Sequence, residues 1–404
     1  MESGVPPGAD SPLAGVRILA VEQYGAGPFA TMVLADLGAE VIKIEPPDGG
    51  DIGRRVPPWT VDDDSLFFQS LNRGKKSVAI DLKHPDGKAL FGRLVARSDV
   101  VFSNARGTSP ERLGITYEQL KRHNPAVVCA FLTGFGRRGP RADQPAYDYI
   151  VQAMSGMAAM GGEPDGPPVR AGVSVVDFSA GLAAAVAMLA GLHRARATGR
   201  GCDIDTSLFA TALNLTNYLA SWTMTRGYHP RRQPRGAHPS IVPSQLFEAA
   251  DGWVMVMCQT DAFFHELVQR MDLSDVAADA RFADMAGRLK HKDELLTRLE
   301  REFKQRNVAD WLARLEGGVP VAPVNDLVQA LADPQVDALG LIVEYDHPEF
   351  GRVKQVAGPV QTFGERADPL PGPALGADTS DLLRGLAGVS EAELQELLSR
   401  GVVA

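Results

Sequence analysis

Cysteine, clustered histidine, long apolar runs and positive charge are all scarce in this sequence. The three cysteines, Cys129, Cys202 and Cys258, are odd in number, far apart and never in a C-x-x-C pair. That excludes a disulfide framework and a thiolate zinc site, and a reduced, cytoplasmic setting is expected. The eight histidines never recur at ligand spacing, so no metal is expected. The longest apolar stretch, 180–192, is too short to span a bilayer and reads as a buried helix, so no membrane partner is expected. Residues 1–12 are acidic and proline-bearing, without the apolar segment of a signal peptide. With 41 basic against 50 acidic residues the net charge is -9. Nucleic acid is a poor partner for such a chain, and an anionic ligand needs a local basic cluster.

What is present is an ordinary globular balance, 45% apolar and 23% charged, in a chain longer than one typical core. Strands at 16–21, 41–44, 77–80, 100–102 and 127–131 alternate with helical segments at 29–37 and 86–96. That alternation predicts an α/β fold around a parallel sheet. An Ala- and Gly-rich middle, 152–160 and 179–196, reads as closely packed helices. We expect a large domain over 1–225, a Pro- and Arg-rich linker over 226–243, and a smaller α+β domain over 244–333 with a hairpin across Asp251-Gly252. Near Pro334 the pattern turns irregular, and a C-terminal segment, 334–404, follows.

Three features could carry chemistry. Gly25, Gly27 and Ala30 fit G-x-G-x-x-[GA] after a strand, with Glu45 ending the next strand, which keeps an NAD-dependent oxidoreductase as an alternative. Pro28 weakens that fit by removing a backbone N–H where a pyrophosphate would be held, and a plain glycine turn remains open. Asp177 precedes the Ala-rich helix. It reads either as an N-cap or, with Ser179 capping instead, as a carboxylate kept ionised for attack on an acyl carbon. The basic stretch Arg226, His229, Arg231, Arg232, Arg235 and His238 is either a solvated loop or a carboxylate or phosphate site.

Taken in order, Gly25-Ala26-Gly27-Pro28, Asp36-Leu37-Gly38-Ala39-Glu40-Val41-Ile42-Lys43-Ile44-Glu45, Asn72-Arg73-Gly74-Lys75-Lys76-Ser77 and Thr198-Gly199-Arg200-Gly201 resemble the class III CoA-transferase family. The resemblance implies a Rossmann-like large domain, a smaller inserted α+β domain after which 334–404 return to the large domain, and two interlocked chains forming a homodimer. It implies Asp177 as nucleophile, no prosthetic group, and acyl-CoA and a carboxylic acid as substrates. Coenzyme A would lie against Gly25, Ala26, Ile80, Asp81, Leu82, Lys83, Asn104, Ala105, Arg106, Arg112, Ala146, Tyr147, Asp148 and Tyr149.

The segment from Arg235 to Pro243 and the chain's ending are most similar to the branch that exchanges succinyl-CoA with glutarate. That implies a dicarboxylate substrate, with Arg54, Arg235 and His238 as candidate contacts. Racemases of the same fold use a histidine near Tyr147-Asp148, where this chain has none.

Overall fold

The computed structural model describes residues 11–360 and 369–404, so most of the N-terminal segment read for a leader and part of the C-terminal segment lie outside it. The chain divides into two compact units: Met1–Ser155, Gly172–Asn217 and Val336–Ala404 form the first, Gly156–Ala171 and Tyr218–Gln335 the second. Residues 226–243 therefore belong with the second unit and are not a spacer, and residues 156–171, which composition groups with the large domain, join them there.

Unit 1 is built on a six-stranded sheet: β1 (Arg17–Val21), β2 (Glu40–Glu45), β3 (Lys76–Ala79), β4 (Val100–Ser103), β5 (Val128–Thr133) and β6 (Cys202–Ser207). Their order is β3-β2-β1-β4-β5-β6, and every neighbouring pair is parallel. Strands β4 and β5 are buried at every position, which is why they read as continuous apolar runs without alternation. The order reverses between β1 and β4, so the loops leaving those strands diverge and open a crevice at the carboxyl edge.

The helices that shape this edge are α1 (Ala26–Asp36), α2 (Leu66–Asn72), α3 (Pro85–Val95), α4 (Asp148–Met154), α5 (Val175–Thr198) and α6 (Leu208–Leu215). Helix α5 has 24 residues and is long and apolar enough, by length and composition, to cross a membrane. Packing accounts for one face of it, while Leu182 and Val186 on the helix are exposed. A Cβ at Gly181 would lie 2.9 Å from the Ala26 carbonyl of α1, and one at Gly191 2.5 Å from a Val128 methyl of β5, so α5 sits close to both.

The C-terminal helices Thr379–Gly385 and Glu391–Ser399 add Leu383 and Leu394, and the segment after them adds Val402, to the core formed by Leu19, Ile42, Val78, Phe91 and Phe131. Val403 bridges Ile80, fixing the chain's end beside the loop that follows β3.

Unit 2 contains a three-stranded antiparallel sheet: Ser244–Glu248, Trp253–Met257 and Val321–Pro323. The hairpin across Asp251-Gly252 is as expected; the short third strand has no periodic signal and goes unread in the sequence. Helices Asp261–Arg270, Lys292–Phe303 and Val308–Leu315 cover a core of Phe247, Phe264, Leu299, Phe303 and Trp311.

Candidate active site

Asp177 lies at the crevice, but it does not cap the helix. Helix α5 begins at Val175, which puts Asp177 in its first turn, and neither Ser174, at the N-cap position, nor Ser179 supplies a side-chain cap. Asp148, at the start of α4, does it from a distance in sequence. Its Oδ2 accepts the backbone N–H groups of Val176 (2.7 Å) and Asp177 (3.0 Å), while Oδ1 accepts from Gln152 Nε2 (2.5 Å). This corrects the expected contact of Asp148 with coenzyme A, because its carboxylate is buried and committed to α5.

Asp177 is 7% exposed, and its carboxylate makes no hydrogen bond or ion pair among the described residues. Burial, and then the negative charge of Asp148, push its pKa up to about 7. The expectation that a helix N-terminus keeps it firmly ionised therefore does not hold: Asp148 has taken the two donors and added a like charge.

Facing Asp177 is the turn between β1 and α1. A Cβ at Gly25 would lie 3.1 Å from Asp177 Oδ2, so glycine is what lets the turn approach the carboxylate. No side chain caps α1, and the N–H groups of Gly25 and Ala26 have no acceptor among the described residues. The only donors near Asp177 that remain uncommitted on the two facing helix starts are thus on α1, since Asp148 holds those of α5.

Two cavities flank this turn. One, of about 420 Å³, is lined by Asp177 with Gly25, Ala26, Asn104, Ala105, Arg106, Ala146 and Tyr147. The other, of about 640 Å³, is lined by Ile80, Asp81, Leu82, Lys83 and Arg112. Gln23, Asn104 and Ala105 line both, so the cavities adjoin. Two hydrogen bonds tie the shared wall together: Asn104 accepts the Gln23 N–H (3.0 Å) and donates to the Gln23 carbonyl (2.8 Å). Lys83 and Arg106 are exposed, and their charged ends have no partner among the described residues; Arg112 donates to Ser109 Oγ (2.8 Å). Asp148 and Tyr149 border neither cavity, and no histidine borders either.

Arg54 is not a substrate contact in this structure. It is 1% exposed, donates to both oxygens of Glu45 (2.9 and 2.7 Å) and to the Pro373 carbonyl (3.0 Å), and stacks 3.8 Å from the centre of the Phe68 ring. Glu45 also accepts from Ser77 Oγ and the Asp51 N–H, leaving no oxygen free for a nucleotide ribose. With Pro28 in the first turn of α1, that removes the dinucleotide reading.

Arg235 and His238 lie in unit 2. Arg235 pairs with Glu300 and donates its N–H to Glu163 (2.7 Å); His238 Nδ1 accepts from Ser240 and Ile241 (both 3.1 Å), and burial lowers its pKa. Arg235 borders a cavity of about 390 Å³ within that unit.

The sequence reading passed over Tyr24 and Asp51. Tyr24 lines the Asp177 cavity and packs against Phe67 and Tyr147, with ring centroids 5.1 and 5.8 Å apart. Burial, then Tyr147 and Asp177, raise its pKa. Asp51 stands in the Gly50-Asp51-Ile52-Gly53-Arg54 loop, where the following arginine drew attention instead.

A family model described as CoA-transferase family III matches residues 13–379. A succinyl-CoA:glutarate CoA-transferase of Mus musculus is 35% identical over 396 residues, covering 97% of this chain and 90% of its own length. A succinate–glutarate CoA-transferase of Agrobacterium fabrum is 37% identical over 366 residues, covering 88% and 90%. The chain is also similar to the crystal structure of a CaiB/BaiF family protein from Brucella suis, with a TM-score of 0.79 and 33% identity over 93% of this chain and 99% of that one.

Proposed function

Because the chain belongs to CoA-transferase family III and is a CoA-transferase, we propose that it carries coenzyme A from succinyl-CoA to a second dicarboxylic acid by way of Asp177. One observation carries the assignment of the nucleophile: Asp177 is a buried carboxylate without a partner, facing a glycine turn at the carboxyl edge of the sheet.

An oxygen of ionised Asp177 attacks the thioester carbonyl, the C–S bond breaks, and an acyl-aspartyl anhydride and CoA thiolate form. The thiolate attacks the aspartyl carbonyl, releasing the donor acid and leaving an aspartyl-CoA thioester. The acceptor carboxylate attacks that thioester, regenerating an anhydride and the thiolate. Attack of the thiolate on the acceptor acyl carbon then frees Asp177. No proton is gained or lost over the cycle.

The N–H groups of Gly25 and Ala26 receive the oxyanion, since Asp148 occupies those of Val176 and Asp177. Coenzyme A spans both cavities, with its phosphates toward Lys83, Arg106 and Arg112 and its thiol end toward Asp177. Dicarboxylate selection is supported by the similarity to CoA-transferases that act on succinyl-CoA and glutarate. An interlocked homodimer in a cytoplasmic setting completes the reading. It is supported by strongly exposed apolar residues such as Val186 (65%) and Leu327 (75%), and by the free cysteines.

The test is to supply succinyl-CoA with a panel of mono- and dicarboxylic acids and follow new acyl-CoA species by mass spectrometry. Hydroxylamine added during turnover should modify the peptide containing Asp177, and Asp177→Ala should abolish exchange. Retained exchange in that variant would remove Asp177 as nucleophile.

A further inference from the structure

We propose that Asp51 is a positioning residue for the cavity around Asp177: anchored by Lys43, its carboxylate latches Tyr24 in a left-handed backbone conformation and so seats Gly25 against Asp177. The inference rests on the reading of Asp177 given above and adds a residue that acts on it through the loop.

Tyr24 has φ +70°, a conformation that residues with a Cβ rarely adopt, so something must hold it there. Its N–H donates to Asp51 Oδ1 (2.9 Å), which also accepts from Gly53 (2.8 Å). Asp51 Oδ2 lies 2.8 Å from Lys43 Nζ, and that ammonium donates to the carbonyl of Glu22 (3.2 Å). Both charged side chains are buried.

The loop is thus gripped at three consecutive residues: Glu22 by Lys43, Gln23 by Asn104, and Tyr24 by Asp51. Gly25 comes next, and a Cβ there would stand 3.1 Å from Asp177 Oδ2. Were Tyr24 to relax to negative φ, the chain would leave it in another direction and carry the N–H groups of Gly25 and Ala26 away from Asp177. Lys43 and Asp51 belong to a buried network with Glu22 and Lys75, and because a buried ion pair adds little net stability over a well-packed apolar pair, stability alone does not account for these charges beneath the turn. Holding the turn does.

Tyr24→Asn and Tyr24→Val test this without disturbing the buried charges. Both delete the ring, but asparagine tolerates positive φ and a β-branched valine does not. The expected result is a kcat for Tyr24→Val roughly tenfold or more below that of Tyr24→Asn, at similar acyl-CoA KM, because misplacing a reacting group costs turnover more than binding. Asp51→Asn, which keeps an acceptor for Tyr24, should likewise retain more kcat than Asp51→Ala. Equal kcat for the two Tyr24 variants overturns the proposal even if Asp51→Ala does not fold. A rise in acyl-CoA KM with unchanged kcat also overturns it, assigning Asp51 to the neighbouring cavity. If Asp177→Ala is inactive while the Tyr24 pair is equal, only this inference fails; if Asp177→Ala is active, the nucleophile reading fails first.

Discussion

Asp148 accepts the backbone N–H of Asp177 at 3.0 Å and, across the same short gap, places a second carboxylate beside it. One side chain thereby fixes the start of helix α5 and makes its neighbour harder to ionise. A carboxylate with a raised pKa is a more basic nucleophile once deprotonated, at the expense of the fraction ionised at neutral pH. The acid limb of kcat/KM should therefore lie near pH 7, with activity rising as Asp177 loses its proton.

Asp148→Asn keeps an oxygen for the two N–H groups and removes the charge. Losing a like charge favours the ionised form, so the acid limb should move to lower pH, by roughly half a unit or more. Burial, the larger cause of the shift, is unchanged, so the limb should stay above the ordinary aspartate range. Measuring kcat/KM from pH 5 to 9 in both proteins decides this, and an unmoved limb would assign the whole shift to burial.

The raised pKa also has a sign for stability. Folded Asp177 holds its proton to about pH 7, whereas the unfolded side chain releases it near 3.8, the ordinary aspartate value. Between those values the native state binds more protons, so this group lowers stability as pH rises; the full effect is at most about 4 kcal/mol. Asp177→Asn should accordingly raise Tm above that of the native protein at pH 8 and leave it nearly unchanged at pH 4. Thermal melts at the two pH values test this, and an equal effect at both would contradict the raised pKa.

The sheet was legible because its strands are buried on both faces, so β1, β2, β4 and β5 announce themselves as short apolar runs between helical segments. The Asp177 cavity was legible mainly through resemblance, since an aspartate in the first turn of a helix carries no signal that separates attack from capping. What stayed hidden has a common cause. Asp148 reaches α5 across 28 residues, Asp51 reaches Tyr24 across 27, and Arg54 turns inward to Glu45. Sequence shows that such polar residues exist but not which backbone group each will face. Resemblance singles out Arg54 as a ligand contact, and nothing in the sequence singles out Asp51.

Gly25 offers a steric test of the site. Its φ of -109° lies outside the left-handed region, and an added methyl would stand 3.1 Å from Asp177 Oδ2. Gly25→Ala should fold normally and bind coenzyme A, yet lose kcat by roughly one to two orders of magnitude as the carboxylate is displaced. Steady-state kinetics alongside calorimetric titration with coenzyme A would show the split. A variant with native kcat would mean that Asp177 has room to move without penalty.

Arg54 separates a structural arginine from a substrate-reading one. Its guanidinium and the carboxylate of Glu45 are each 1% exposed and joined by two hydrogen bonds, so truncating one partner leaves a buried charge uncompensated. Arg54→Ala should therefore cost on the order of 3–5 kcal/mol in unfolding free energy, read from urea melts. Arg54→Lys keeps the charge but cannot present two parallel donors, so it should recover only part of that loss. Activity per folded molecule should fall equally for glutarate, succinate and a monocarboxylate, because the guanidinium faces Glu45 and Phe68 rather than the Asp177 cavity. A loss confined to the dicarboxylates, with stability intact, would instead require Arg54 to leave Glu45 when substrate binds. Stability and selectivity are independent measurements on the same variants, so the pattern across the three acids distinguishes the two roles.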